Sequence, residues 1–192
     1  MSWHPPEAYA ELSKDVRSVL ISAEQIEQRV LELGLAISHD YAGRNPLLIG
    51  VLKGVVVFMA DLLRAITIPV EVDFLAISSY TSELRDRGVV QLIKDLDVPV
   101  TDRHLLFVED VIDTGLTLNY LLGTLRARRP ASLEVAVLFD KPSRRLVPTP
   151  VKYRGFELPD RHIVGCGLDF RERYRNLPFV GLLKPGVLHR GE

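Results

Sequence analysis

The stretch from residue 105 to residue 117 constrains the fold more than any other part of the chain. It reads Leu-Leu-Phe-Val-Glu-Asp-Val-Ile-Asp-Thr-Gly-Leu-Thr, an apolar run that stops at two adjacent carboxylates. Residues 105–108 have the pattern of a parallel strand that is covered on both faces. Leucines then recur at helical spacing, at positions 118, 121, 122 and 125. The stretch therefore predicts a strand, a turn and the first turns of a helix.

The turn between this strand and this helix has the chemistry of a phosphate site. Asp113, Thr114, Gly115 and Thr117 offer backbone N–H groups, two hydroxyls and a glycine that permits close approach. The positive end of a helix dipole favours an anion at such a position. The alternative is a helix N-cap with a solvated acidic turn. The ordered set of strand, acidic pair and Asp-Thr-Gly-x-Thr favours the phosphate site.

Length and charge narrow the range of functions. A chain of 192 residues with 47% hydrophobic residues predicts one domain with a substantial core. A net charge of -1 gives no field that would favour nucleic acid or an anionic membrane as a partner. The single cysteine, Cys166, excludes an internal disulfide and fits a reducing compartment. With no leader-like or membrane-spanning segment in the sequence, we expect a cytoplasmic protein.

Strand and helix patterns alternate along the chain, which predicts an α/β fold. Ser22 and Gln25 form a plausible capping box for a helix that follows, whereas the first 20 residues carry no clear pattern. Further predicted strands cover residues 47–52, 70–78, 89–93, 133–139, 151–156, 163–168 and 179–183, and a further helix covers 55–66. Dinucleotide-binding, Walker A, zinc-protease and nucleophile-elbow motifs do not occur in the sequence, and its five histidines are too scattered for a zinc site.

The stretch 105–117 resembles the phosphoribosyl diphosphate (PRPP) motif of the type I phosphoribosyltransferases. In that family the acidic pair faces the ribose hydroxyls, the loop holds the 5'-phosphate, and the loop aspartate lies beside the incoming base. The resemblance implies a twisted, mainly parallel sheet flanked by helices, with a small hood and a mobile lid loop. It also implies a set of residues for PRPP: Glu109, Asp110, Asp113, Thr114, Gly115, Leu116 and Thr117.

Four other segments match the hypoxanthine-guanine branch of this family, and the resemblance covers about residues 21–183. By resemblance, Lys53 and Gly54 bind pyrophosphate after a cis Leu52–Lys53 peptide bond, and Arg175 also faces pyrophosphate. Ser79 and Tyr80 open a polar loop, residues 79–88, that resembles the lid of the family. An ordinary hairpin loop is the alternative.

By resemblance, the purine base is expected to bind to two further segments, which contain Lys141 and His162. By resemblance, Lys141 donates a hydrogen bond to the exocyclic O6 of the base, which favours 6-oxopurines. We interpret the neighbouring Arg144 and Arg145 as parts of a solvated turn. His162 stands where the family usually has an aromatic residue, and Ile163 is a milder change. Imidazole can stack on a base with a smaller area and a charge that depends on pH.

The resemblance assigns the remaining roles in the same way. Asp169 keeps the place of a family aspartate at the metal, and Glu109 and Asp110 complete the expected magnesium ligands. Cys166 replaces a frequent tyrosine, and we interpret it as a small buried hydrophobe.

The implied activity is Mg2+-dependent transfer of a 5-phosphoribosyl group from PRPP to hypoxanthine or guanine, which gives IMP or GMP and pyrophosphate. Asp113 would accept the proton of a purine ring nitrogen or form a hydrogen bond with it. A single domain, residues 1–192, is expected, with a hood formed by the chain ends and a homodimer or homotetramer as the assembly. The alternatives are a xanthine-preferring enzyme, an RNA-binding regulator that uses uracil, and a non-catalytic nucleotide-binding protein of the same fold.

Overall fold

The computed structural model describes residues 7–78 and 91–188. Its strands are β1 (Val16–Ile21), β2 (Leu47–Val51), β3 (Glu71–Ile77), β4 (Leu92–Lys94), β5 (His104–Ile112), β6 (Ser132–Asp140), β7 (Tyr153–Glu157), β8 (Ile163–Val164) and β9 (Val180–Leu183). Its α-helices are α1 (Ala10–Ser13), α2 (Ala23–Asp40), α3 (Val55–Ala65), α4 (Leu116–Ala127) and α5 (Pro185–Leu188). Short 3-10 helices cover Glu7–Tyr9 and Pro142–Arg144.

The larger of two sheets has six strands in the order β4-β3-β2-β5-β6-β7. All neighbours in it are parallel except the edge pair β3 and β4. Helices cover both of its faces, as the alternation of side chains along β5 illustrates. Leu106 and Val108 pack with α2 and α3, whereas Leu105 and Phe107 pack with α4. This is the α/β architecture that the sequence predicts.

The smaller sheet combines strands from both ends of the described chain. Its order is β1-β9-β8, and both pairs are antiparallel. β1 begins within the first 20 residues, for which no element was expected, because its exposed polar positions obscure the strand pattern. A hood made from the chain ends agrees with the fold that the resemblance implies.

Most predicted elements have the expected type, with boundaries that differ by a few residues. The capping box at the start of α2 is confirmed, since Gln25 N donates to Ser22 Oγ at 3.3 Å and Ser22 N donates to Gln25 Oε1 at 2.9 Å. The strand expected at 163–168 is shorter, ending at Val164, because the chain turns there through residues with positive φ at 165, 166 and 167.

The strand of the central motif is longer than predicted. β5 does not stop at the acidic pair but runs on to Ile112, because its partner β6 offers pairing positions as far as Asp140. The chain also returns after β3, where β4 pairs with it in antiparallel fashion. The lid residues Ser79 and Tyr80, with the rest of the loop 79–88, lie outside the described residues. Within the described residues, no helix is long and apolar enough to span a membrane.

Candidate active site

The carboxyl ends of three parallel strands bring the predicted site residues to one edge of the sheet. β2 leads into Lys53 and Gly54, β5 leads into the Asp113 loop, and β6 leads into Lys141. A cavity of about 270 Å³ opens at this edge. Its walls are Val51, Leu52, Lys53, Gly54, Ile77, Glu109, Asp110, Val111, Ile112, Asp113, Thr114, Gly115, Thr117 and Leu118.

The loop that is expected to hold phosphate reaches this cavity through a left-handed glycine. Gly115 has a φ of +81° and directly precedes α4, so that the loop turns into the N-terminus of a helix. A Cβ at this position would also lie 2.7 Å from Thr149 Oγ1, which makes the position too crowded for a side chain. Leu116 begins α4 with an exposed side chain and is not a wall residue of the cavity, so that only its backbone is suited to a ligand.

The acidic pair lies on the floor of the same cavity in a poorly solvated position. Burial and the charge of Asp110 raise the pKa of Glu109 well above its usual value. Burial likewise raises the pKa of Asp110 to about 6, although a backbone hydrogen bond from Val111 and the charge of Arg175 act in the opposite direction. A bound cation or hydroxyl donors would stabilise the ionised forms of these two adjacent carboxyl groups.

A second cavity, of about 250 Å³, lies next to the first. Its walls are Asp110, Val111, Lys141, Arg161, His162, Ile163, Val164, Leu168, Asp169, Phe170 and Leu183. Asp110 and Val111 line both cavities. The structure therefore brings the residues expected at the purine next to those expected at PRPP.

Lys141 is held at the mouth of this second cavity. Its Nζ donates to the carbonyl of Arg161 at 3.0 Å, which fixes the ammonium close to His162. Burial lowers the pKa of Lys141, against the opposing charge of Asp113. A partly desolvated donor of this kind discriminates strongly between an acceptor and a donor on a ligand.

The residues expected at pyrophosphate converge from two loops. The Leu52–Lys53 peptide bond is cis, as predicted. Gly54 lies so close to the Asp110 carboxylate that a Cβ would overlap with it. Arg175 is close to Gly54 and binds Asp169 at 2.8 Å and the carbonyl of Gly167 at 2.9 Å.

Glu172, a residue that the sequence did not single out, bridges the two cations of this group. Its Oε2 accepts from Lys53 Nζ at 2.9 Å, and its Oε1 lies 3.2 Å from Arg175 Nη2. The pKa of Glu172 is lowered, mainly by the hydrogen bond from Lys53. The Glu172 carboxylate thus lies between Lys53 and Arg175, at a position where these two cations would attract an anionic ligand.

The interpretation of Arg144 and Arg145 as parts of a solvated turn is wrong for Arg145, whereas Arg144 is exposed but paired with two carboxylates. Arg144 Nε donates to Asp113 Oδ1, and its Nη1 donates to Asp160 Oδ1 at 2.8 Å. Arg145 donates to the carbonyl of Asp113 at 2.7 Å and pairs with the buried Asp140. The local sequence gives no signal for the contacts of Arg144, since Asp113 and Asp160 are 31 and 16 positions away along the chain.

The donor set fits magnesium, although the protein does not form a cage for it. Within residues 7–78 and 91–188, no group of three or more His, Cys, Asp or Glu side chains could hold a metal ion by itself. Mg2+ is usually held by one or two carboxylates together with water and phosphate oxygens of the substrate. Glu109 and Asp110 supply such carboxylates in the first cavity, and Asp169 lies in the second.

Cys166 forms part of the support behind the site and not of its chemistry. It is buried, and burial raises the pKa of its thiol to about 12. A thiol that stays protonated is a poor nucleophile. The prediction of a small buried hydrophobe is confirmed for this residue.

Comparison with known proteins agrees with the geometry. Residues 20–171 match the family model for the phosphoribosyl transferase domain. The chain is 47% identical to the hypoxanthine-guanine phosphoribosyltransferase of Bacillus subtilis, over 92% of this chain and 98% of that protein. It is 49% identical to that of Streptococcus agalactiae, with the same coverage.

A solved structure is similar to this fold throughout. The hypoxanthine phosphoribosyltransferase of Staphylococcus aureus superposes with a TM-score of 0.88 at 41% identity and covers 92% of this chain and 96% of that one. Sequence, fold and the paired cavities lead to the same assignment. The chain belongs to the hypoxanthine-guanine phosphoribosyltransferase family.

Proposed function

We propose that this protein catalyses Mg2+-dependent transfer of the 5-phosphoribosyl group from PRPP to hypoxanthine or guanine, with release of pyrophosphate and formation of IMP or GMP. The observation that carries the proposal is the pair of adjoining cavities with Asp110 and Val111 as their common wall. A transfer reaction requires a donor and an acceptor side by side, and a site for one ligand alone would need only one cavity. The names of the bacterial relatives support the same reaction.

PRPP would occupy the first cavity. The 5'-phosphate would lie at the N-terminus of α4 against Thr114, Gly115, Leu116 N and Thr117, where backbone N–H groups and the helix dipole favour an anion. Glu109 and Asp110 would accept hydrogen bonds from the ribose hydroxyls. The pyrophosphate would meet Lys53, Gly54 and Arg175 and would displace the Glu172 carboxylate from the two cations.

The purine would occupy the second cavity. Lys141 would donate to O6 of the base, His162 would stack on the ring, and Ile163 and Asp169 would complete the walls. A protonated lysine beside O6 finds an acceptor in a 6-oxopurine, whereas the amino group of adenine would place a donor against this partly desolvated ammonium. This is the physical basis for expecting hypoxanthine and guanine rather than adenine.

Magnesium would bind at Glu109 and Asp110, with Asp169 as a third carboxylate on the purine side. When bound, the ion neutralises the charge of the diphosphate leaving group. The raised pKa values of Glu109 and Asp110 support this role, because an adjacent divalent cation would stabilise their ionised forms.

The chemistry proceeds through positive charge on the ribose. As the bond from C1' to pyrophosphate breaks, C1' gains oxocarbenium character, which the nearby carboxylates stabilise electrostatically. The purine nitrogen then forms the new bond to C1'. Asp113, in the wall of the first cavity, accepts the proton that the purine ring loses.

Several assignments belong to the proposal as a whole. We infer one catalytic domain over residues 1–192, with Ser79 and Tyr80 in a loop that closes over the site and excludes water. We also infer a cytoplasmic homodimer or homotetramer, and the single cysteine agrees with a reducing compartment. Deletion of residues 79–88 should reduce turnover sharply while PRPP still binds, and unchanged turnover would contradict a lid.

The decisive experiment measures pyrophosphate release from PRPP and Mg2+ with hypoxanthine, guanine, xanthine, adenine and uracil in parallel. Turnover confined to hypoxanthine and guanine is expected. Turnover with xanthine or uracil alone would reassign the base. Folded protein that binds PRPP but turns over none of the five would be a nucleotide-binding protein.

Replacement of Asp113 tests its role separately. Asp113→Asn keeps the shape of the side chain and removes its basicity, so kcat should fall by a factor of about 100 or more while the KM for PRPP changes little. Equal losses in kcat and in PRPP affinity would make Asp113 a structural residue of the loop.

A further inference from the structure

We propose that Arg144 is a positioning residue for the Asp113 carboxylate and holds it in the orientation that receives the purine proton. This inference rests on the proposed function, in which Asp113 is the proton acceptor. Arg144 donates through Nε to Asp113 Oδ1 and through Nη1 to Asp160 Oδ1 at 2.8 Å. One guanidinium thus connects the loop after β5 with the segment that precedes β8.

Hydrogen bonds to main-chain atoms fix the backbone around this contact independently of the Arg144 side chain. Lys141 N donates to Ile112 O at 3.0 Å, and Leu146 N donates to Thr114 O at 3.0 Å. Arg145, paired with the buried Asp140, donates to the carbonyl of Asp113 at 2.7 Å. Segment 141–146 therefore holds the main chain of the Asp113 loop, and Arg144 adds the orientation of its side chain.

The contact leaves one carboxylate oxygen of Asp113 for the ligand. Asp113 lines the first cavity and Arg144 holds its Oδ1, so that Oδ2 is the oxygen available to a ligand. On the other side of the bridge, Asp160 directly precedes Arg161 and His162, two wall residues of the second cavity. Arg144 consequently fixes the distance between the proton acceptor and the segment against which the base would stack.

Without Arg144, the charges around Asp113 would pair differently. The groups that face it are Arg144, Arg145 at its carbonyl, and Lys141, which interacts with the Asp113 charge. Loss of the Arg144 cation would leave the carboxylate free to turn towards Lys141. That pairing would withdraw both the proton acceptor and the O6 donor from the base.

The arrangement suits orientation better than stability. The Arg144, Asp113 and Asp160 side chains are 41%, 46% and 57% exposed, and exposed ion pairs of this kind contribute little to the free energy of folding. Small displacements of a catalytic group, in contrast, reduce rates by large factors. A positioning role therefore predicts that replacement of Arg144 lowers kcat strongly and Tm only slightly.

The test compares Arg144→Gln, Arg144→Lys and Asp160→Asn with wild type in hypoxanthine turnover. Arg144→Gln should lower kcat about tenfold to a hundredfold and raise the KM for hypoxanthine severalfold, with the KM for PRPP changed less than twofold and Tm lowered by no more than about 3 °C. Arg144→Lys, which keeps one charge but cannot bridge two carboxylates, should recover part of kcat. Asp160→Asn should lower kcat by a smaller factor than Arg144→Gln.

Arg128→Gln is the matched control. Arg128 pairs with Asp95 through Nη1 and Nη2, each at 2.8 Å, on a surface that belongs to neither cavity, and its replacement should leave kcat unchanged. The inference is overturned if Arg144→Gln retains wild-type kcat, or if its kcat and PRPP affinity fall together with Tm. Wild-type turnover and the loss of kcat in Asp113→Asn test the proposed function independently, so that a negative result for Arg144 would refute the positioning role alone.

Discussion

Replacement of Gly167 by alanine should destabilise the protein and weaken PRPP binding, because this glycine supports the pyrophosphate loop from behind. Gly167 has a φ of +92°, and a Cβ there would overlap with the carbonyl oxygen of Gly54 and lie 3.3 Å from its carbonyl carbon. Its own N–H donates to Arg175 O at 2.9 Å, and its carbonyl accepts from Arg175 Nη1 at 2.9 Å. Movement of Gly167 would therefore disturb both Gly54 and Arg175.

The magnitude follows from two independent terms. Alanine at a positive φ costs about 1–2 kcal/mol, and overpacking against a backbone atom that cannot rotate away costs about 1–3 kcal/mol. The sum of about 2–5 kcal/mol is a large part of the 5–15 kcal/mol that is typical of folded proteins. For a chain of 192 residues, this corresponds to a decrease in Tm of about 4–20 °C.

Thermal unfolding and the KM for PRPP are the two measurements. Gly123→Ala is the control, since Gly123 is exposed in α4 with nothing within 4 Å of a Cβ, so that alanine should stabilise the protein by about 0.5–1 kcal/mol and leave the KM unchanged. A Gly167→Ala variant with the Tm and KM of wild type would refute the proposed contact with the loop.

Three further predictions follow from the charges of the structure. Because burial raises the pKa of Asp110 from 3.8 to about 6, the folded protein binds more protons than the unfolded chain in this window and loses stability as the pH rises through it. Without Mg2+, Asp110→Asn should raise the free energy of unfolding at pH 7.5 by up to about 3 kcal/mol and leave it unchanged below about pH 3, while turnover is lost. An unchanged free energy of unfolding at pH 7.5 would contradict the raised pKa. Glu172→Gln should lower the KM for PRPP severalfold, because the neutral amide competes less with pyrophosphate for Lys53 and Arg175; a higher KM would mean that Glu172 orients these cations instead of competing. The hydrogen bond from the Tyr153 hydroxyl is the main cause that lowers the pKa of Asp40 to about 2, so that Asp40 stabilises the fold above about pH 4 and this contribution disappears as the pH falls towards 2. Since the Asp40 side chain is 35% exposed, Asp40→Asn should lower the free energy of unfolding in urea by only about 1 kcal/mol at pH 7. An equal loss at pH 2 would argue against an electrostatic origin.

Local patterns explain why so much of the site could be predicted from sequence. The phosphate loop, the acidic pair and the start of α4 lie within 13 consecutive residues, so that their order along the chain is also their order in space. The capping box of α2 involves residues three positions apart and depends on helical geometry alone. The Leu52–Lys53 cis bond was expected from the family resemblance and not from any property of the two residues.

Other features depend on which strands become neighbours. β5 runs past the acidic pair because β6 supplies partners for Glu109, Val111 and Ile112, and nothing in the local sequence shows how far that partner extends. β1 is a poor strand by pattern, but it pairs with β9 from the other end of the chain.

The sequence by itself determined the α/β class and the strand, turn and helix of the central motif, because these depend on periodicity and on groups that are close along the chain. The roles predicted for the other site residues came from the family resemblance. Only the tertiary structure decided which side chains face one another. Arg144 meets Asp113 across 31 positions, and Lys53 meets Glu172 across 119. A charged residue in a turn gains such a partner only when distant segments fold together, and for this reason the arginine bridge and the bridging carboxylate became visible in the folded protein alone.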